Sequence, residues 1–416
     1  MTRRMLVCMF LGFASGLPLF FLLQLVQAWL KDSDVGLTEI GLFSLAQLPY
    51  TWKFFWSPLA ERYSLPWLGR RRGWMLVTQV VLVCLMASLG LFDPAMNLWL
   101  VFGVALILSF ASASQDIVID AYRRELLVTD EELALGNSLH VQVYRLAGFV
   151  PGSLGLILAD YLPWESVFFV MAAFMCVGIV TTLVIREVVT HPQIPRTLKQ
   201  ATVEPLREYL GRRGWRSAVL VLLFLFAYKL GDSMATALST SFYLDLGFSM
   251  TQIGIIAKNA GVWPMIFGGL MGGLLIVKIG INKGLWLFGV VQLATILGFA
   301  WLAEVGNEPW VLAAVIAAEY LGVGLGTAAF VAFIARETSP RFAATQFALF
   351  TAITALPRTF AAATTGAVVE AVGWTNFFYL CTCLAVPGML LLVWVAPFKT
   401  SVAPPPTAPS ENPSSP

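Results

Sequence analysis

LWLVFGVALILSFASASQDIVIDAYRRE, residues 98–125, runs apolar for most of a helix before it admits Gln115, Asp116 and Asp120 and ends on Arg123 and Arg124. An apolar run of that length crosses a bilayer as a helix, because a segment in hydrocarbon has to satisfy its own backbone hydrogen bonds. Carboxylates within it are costly, at about 2.5–3.5 kcal/mol for a charge at the bilayer centre. The stretch therefore predicts a membrane helix with one face turned to a polar interior.

The same pattern recurs from end to end. The 416 residues are 58% hydrophobic and 12% charged, with mean hydropathy +0.79, where a soluble domain carries about 25% charged residues. Twelve spans are expected, at 6–30, 38–62, 74–92, 97–122, 132–160, 163–185, 216–245, 251–278, 284–303, 309–335, 342–371 and 374–396. The first reads as a retained helix rather than a cleaved signal, since eleven more follow it. Twenty Lys and Arg fall in the segments on one face of this arrangement and only Lys31 on the other, which places both termini in the cytoplasm. That bias accounts for the basic excess, so the net charge of +2 implies no nucleic-acid partner. The five cysteines lie in apolar spans and read as packing residues; Cys381 and Cys383 point about 200° apart around one helix, which speaks against a metal site. His140 reads as a hydrogen-bonded packing residue of the fifth span, and His191 as solvated beside Pro192.

Shifting the chain by 210–213 residues brings Ile40-Gly41 onto Ile253-Gly254, Trp74 onto Trp286, Arg124-Glu125 onto Arg336-Glu337, Arg145 onto Arg358, and Trp164 onto Trp374. An even number of spans per repeat gives the halves the same orientation. Two six-helix bundles related by an axis along the membrane normal are the major facilitator architecture, an all-α polytopic membrane protein of twelve helices. The expected divisions are residues 1–186 and 216–398 for the two bundles, an interdomain connection at 187–215, and a tail at 399–416 whose Pro, Ser and Thr cannot build a core. Leu198, Ala201, Leu206, Tyr209 and Leu210 recur at helical spacing, so part of the connection reads as an amphipathic helix at the cytoplasmic interface.

Five cations, Lys53, Arg145, Lys229, Lys258 and Arg358, and four anions, Asp116, Asp120, Asp232 and Glu319, fall inside spans. They are expected to line one aqueous cavity between the halves. Lys229 and Asp232, three apart on one helix, suit a local pair. Arg145 and Arg358 match across the repeat, so both can aim at a central site where guanidinium groups suit a carboxylate, which favours an anionic solute. Candidate solute-binding residues are therefore Gln115, Arg145, Lys229, Lys258 and Arg358. Proton coupling needs a carboxylate that can become neutral, for which Asp116, Asp232 and Glu319 are the candidates. Asp120 and Arg123 read as part of an inner gate.

SPLAERYSLPWLGRRRGW, residues 57–74, resembles the superfamily's inner-loop pattern G-x-x-x-D-[RK]-x-G-[RK]-[RK], with Glu61 in place of Asp and Ser57 in place of Gly. The resemblance assigns Glu61, Arg62, Arg70 and Arg71 to the gate, where charge pairs hold the inward end closed and release as the bundles rock.

GFASGLPL at 12–19, PYTWKFFWSPLAERY at 49–63, GRRRGW at 69–74, SASQDIVIDAYRRE at 112–125, YKLGD at 228–232, ATQFAL at 344–349 and IPRTLKQATVEPLREYLGRR at 194–213 together resemble the AmpG-type muropeptide permeases of Gram-negative bacteria. The resemblance implies a multi-pass carrier of the inner membrane. It would import GlcNAc-1,6-anhydro-MurNAc, with or without stem peptide, on the proton gradient for peptidoglycan recycling. Longer members continue with hydrophobic segments where this chain enters its proline-rich tail. Siderophore importers of the pyochelin type are relatives, and acetyl-CoA-type or drug transporters are more distant alternatives. The expected partners are a small anionic amphiphilic or sugar-peptide solute and the surrounding lipid, with the chain acting as a monomer. No cofactor is expected beyond the gradient. An enzyme is disfavoured, since no H-E-x-x-H, no Ser with His and Asp partners and no phosphate loop appears. GFVPGSLG, residues 148–155, reads as a bending and close-packing site.

Overall fold

The computed structural model describes residues 2–56, 68–127, 130–187, 207–339 and 343–398, without the side chains of Arg70 and Arg358 among others. Ten helices among the described residues are long and apolar enough to cross a membrane. α1 is Arg3–Asp32. The second expected span is broken rather than continuous. α2 runs Leu37–Phe43, passes a tight 3₁₀ turn at Ser44–Gln47 and resumes as Leu48–Trp52, where Pro49 lacks the N–H needed to continue the ladder. α3 is Arg71–Leu89, α4 Pro94–Leu126, α5 Leu135–Ala159, α6 Trp164–Val184, α7 Trp215–Asp245, α8 Met250–Ile279, α9 Ile281–Val305 and α10 Pro309–Glu337. The last helical stretch, Ala343–Val395, turns at Gly373, whose φ of 78° is open to glycine, so α11 (343–372) and α12 (374–395) cross separately.

Local chemistry sets the helix starts. Asp93 accepts from the Ala95 N–H at 2.9 Å ahead of Pro94, and Ser249 with Gln252 forms a reciprocal capping box at the start of α8. Glycines set the closest approaches. A Cβ at Gly12 would lie 2.5 Å from the His140 carbonyl oxygen, and Gly16 meets the Tyr144 carbonyl in the same way, so the Gly-x-x-x-Gly face of α1 lets α5 pack backbone to backbone. Gly268 and Gly272 of α8 do the same against Leu321 and Leu325 of α10.

The halves meet toward the end of the molecule that carries Lys31. There Lys31 pairs with Asp245 at 2.6 Å, Gln27 donates to the Ala237 carbonyl at 3.1 Å, and Ser44 donates to the Thr359 carbonyl at 3.3 Å. Two carboxylates cross the same seam in matching fashion. Glu370, at the end of α11, accepts from the Thr38 N–H at 3.0 Å and its hydroxyl at 2.5 Å; Asp160, just past α5, accepts from the Thr251 N–H at 2.7 Å. At the opposite, basic-loop end the described ion pairs stay within a half. Arg71 pairs with Glu125 at 2.7 Å, and Arg4 with Glu132 at 2.7 Å. Residues 207–213 form a helix ahead of α7, and Arg213 pairs there with Glu337 while Arg212 donates to the Glu337 carbonyl at 2.7 Å.

Candidate solute cavity and its charged lining

Three π-helical turns decide what faces the middle of the molecule. They fall at Phe21–Leu25 in α1, Val150–Gly155 in α5 and Ile253–Ala257 in α8. Each inserts an extra residue in its turn and re-aims the side chains around it. Their products meet at one point: Lys258 donates to Gln24 Oε1 at 3.1 Å, and its ammonium lies 4.9 Å from the Phe20 ring centre and 5.6 Å from that of Phe149. Gly148 and Gly152 leave the room. A Cβ on Gly148 would sit 2.8 Å from Lys258 Nζ, and one on Gly152 would collide with the Gln24 amide. The GFVPGSLG stretch is thus a bent, close-packed site, and it also seats a cation from the other half.

Around this junction lies a cavity of about 740 Å³ between α1, α2, α4 and α5 of the first half and α7, α8, α10 and α11 of the second. Its polar lining comprises Gln24, Gln27, Gln47, Asp116, Tyr144, Arg145, Asp232, Tyr243, Lys258 and Tyr320, with Asp120, Arg123 and His140 toward the basic-loop end. Arg145 and Lys258 form no ion pair with a described residue, whereas Arg123 is tied to Asp120 at 3.0 Å and Lys229 to Asp232 at 3.4 Å. Asp116 accepts from the Ser15 hydroxyl at 2.5 Å and lies 3.8 Å from Lys53. His140 contacts the Cys8 carbonyl through Nδ1 at 3.3 Å, as a hydrogen-bonded packing residue does. The cavity wall thus combines two cations that have no ion pair with a described residue, several amides, and apolar and aromatic surface.

The Major Facilitator Superfamily profile matches residues 5–362. A protein of Haemophilus influenzae described as uncharacterized is 50% identical over 96% of this chain and 96% of its own. The anhydromuropeptide permease of Escherichia coli is 39% identical over 94% of this chain and 79% of the permease. The chain belongs to the Major Facilitator Superfamily, among its AmpG-type permeases. Its fold is shared with the nucleoside transporter NupG, at TM-score 0.68 and 15% identity over 95% of this chain and 99% of that one. The peptide transporter PepTSo gives TM-score 0.70 at 10% identity over 96% and 98% of the two chains. As a facilitator with permeases and transporters for relatives, the protein is a multi-pass membrane transporter of a small molecule, not an enzyme.

The permease fold gathers only part of the expected charged set into the cavity wall. Arg145, Lys258, Asp116, Asp232, Asp120 and Arg123 reach it. Gln115 is corrected: it is fully buried and donates to the Ala14 carbonyl at 2.8 Å, because at that level α4 turns it into the small-residue face of α1. Lys53, Lys229 and Glu319 are not among the residues that line the cavity. Lys53 lies 3.8 Å from Asp116, Lys229 pairs with Asp232 at 3.4 Å, and Glu319 is fully buried between helices of the second half. Arg71, expected in the gate, is nearly buried and holds Glu125, while Glu187 accepts from the Arg71 and Arg72 N–H groups at 2.7 and 3.0 Å. Glu61 and Arg62 lie outside the described residues, as do the side chains of Arg70 and Arg358. The sequence reading missed Gln24 and Gln27, although two amides three apart inside an apolar span are a legible signal of a polar face.

Proposed function

We propose that this protein imports anhydro-muropeptides across the bacterial inner membrane in symport with protons, with both termini and the basic loops on the cytoplasmic side. The observation that carries the reading is the cavity between the halves. Its volume of about 740 Å³ falls within the range of about 300–1,000 Å³ common for small-molecule sites. Arg145 and Lys258, without an ion-pair partner among the described residues, meet the chemistry of an acidic sugar, and Gln24, Gln27 and Gln47 on the same wall suit hydroxyl and acetamido groups. The 39% identity to the Escherichia coli anhydromuropeptide permease supports the same solute.

In this reading the structure is the inward-facing state. The seam at the Lys31 end closes the periplasmic side, and Asp120, Arg123, Arg70, Arg71, Glu61 and Arg62 act at the cytoplasmic side, pairing across the halves when the carrier rocks. Arg145 of the first half and Lys258 of the second hold the solute anion, with Arg358 as the repeat counterpart of Arg145. The test is uptake of labelled GlcNAc-1,6-anhydro-MurNAc into proteoliposomes with and without a pH gradient, beside a ferric siderophore. Accumulation of the disaccharide that requires the gradient supports the reading, and accumulation of the siderophore alone overturns it.

A further inference from the structure

Glu319 is a charge-bearing group sealed inside the second half. It lies in the middle of α10, fully buried, with Thr295 and Asp232 close by and no well-formed hydrogen bond to either carboxyl oxygen among the described residues. The groups that face it are Asp232, Lys229 and Tyr243 from α7, Thr295 from α9 and Cys381 from α12. Lys229 is already paired with Asp232 Oδ2 at 3.4 Å, while Asp232 Oδ1 and, on α9, Gln292 Nε2 are buried without partners. A void of about 10 Å³ touches Asp232, Gln292 and Tyr228 on the side away from the solute. Asp232 alone of the two carboxylates also lines the large cavity. One acid is therefore sealed, the other lines the solute chamber, and Lys229, paired with Asp232, also faces Glu319.

We propose that Glu319 and Asp232, with Lys229 as their exchangeable counter-ion, form the proton site of this carrier, one wall behind the solute cavity. The proposal rests on the proton-symport reading above. An ionised carboxylate sealed in a dry bundle, with Lys229 already committed to Asp232, would be penalised, so in this proposal Glu319 carries the proton in this state. Release is a balanced exchange. The Glu319 O–H bond breaks as an O–H bond forms on Asp232, Lys229 moves from the neutralised Asp232 to the new Glu319 carboxylate, and Asp232 then gives the proton to water in the cavity. Net charge in the site is unchanged until that last step. Asp116 belongs to the other half, where its carboxylate has Ser15 and Lys53, and is no member of this pair.

The experiment compares wild type, Glu319→Gln, Asp232→Asn and Asp116→Asn in proteoliposomes with labelled GlcNAc-1,6-anhydro-MurNAc. For one proton per solute, a gradient of one pH unit supports about tenfold accumulation. Glu319→Gln and Asp232→Asn are expected to lose that accumulation, Glu319→Gln while keeping gradient-free exchange of labelled for unlabelled disaccharide, and Asp116→Asn to retain gradient-driven accumulation even where its rate of uptake falls. Infrared difference spectra supply a readout independent of transport: the carbonyl band of a protonated buried acid should vanish in Glu319→Gln. Accumulation that survives in Glu319→Gln, or a carbonyl band that persists in it, overturns the proton site and leaves symport standing. Wild-type accumulation that follows a sodium gradient, or ignores the pH gradient, overturns the symport reading itself and this site with it.

Discussion

At the scale of single residues, Arg145 and Lys258 differ from the other intramembrane charges because no described carboxylate answers them. Lys258 is partly satisfied by Gln24 and two aromatic faces. Arg145 is half-buried on the cavity wall and free to form a forked pair with an acid. A hydrogen bond to a charged group is worth about 1.5–3 kcal/mol, so Arg145→Ala should weaken solute binding by about 10- to 150-fold. Arg145→Lys should recover only part of that, because an ammonium cannot grip a carboxylate with two parallel bonds. Binding isotherms of the detergent-purified protein with the anhydro-disaccharide check both values, and unchanged affinity in Arg145→Ala would remove the residue from the site. The residue types needed here were legible in the sequence, since a charge in an apolar span needs a reason. Their facing was not. In a helix apolar all round nothing in the pattern marks which side meets the cavity, and Gln115 and Asp116, adjacent in sequence, point to different neighbours.

At the scale of elements, the π-turns and the glycines opposite them do together what neither does alone. The turn in α5 brings Gly152 against Gln24, and the turn in α8 delivers Lys258 to the same amide. Gly152→Ala places a methyl group into that amide, with an overpacking cost of about 1–3 kcal/mol. The expected outcome is a lower midpoint of thermal unfolding and weaker solute binding together, since the Lys258 seat is displaced. Gly103, where a side chain would meet nothing within 4 Å, serves as the control: Gly103→Ala should leave both unchanged. Pro151 and the paired glycines announced a bend, but not its handover to the other half, because close approach between distant elements leaves no local periodicity. The twelve-span pattern was legible for the opposite reason. Length, hydropathy and the Lys/Arg bias are local sums; what they do not carry is the change of helix type inside α2, where a 3₁₀ turn at Ser44–Gln47 precedes Pro49.

At the scale of the whole molecule, the internal repeat read from the sequence reappears in the seam that closes the Lys31 end. Thr38 and Thr251 are 213 residues apart, and Asp160 and Glu370 are 210 apart. Each carboxylate, from the end of α5 or α11, reaches across to the threonine that begins α2 or α8 in the other half. A helix start presents unpaired N–H groups and a positive dipole end, so a carboxylate delivered from the opposite half bonds only while the halves are closed. These are contacts of one conformational state, and their free energy sets its population directly. Both acids are exposed, so the charge on each at its helix start is worth only about 0.5 kcal/mol after screening, and neutralising both should shift the closed-to-open equilibrium about fivefold. The double variant Asp160→Asn/Glu370→Gln should therefore populate the state open at the Lys31 end more than wild type. Spin labels placed on either side of the seam would report a longer mean distance in that variant and a smaller change in each single one. The same distance distribution in wild type and double variant would mean that the glycine packing and the Lys31–Asp245 pair hold the seam without these carboxylates.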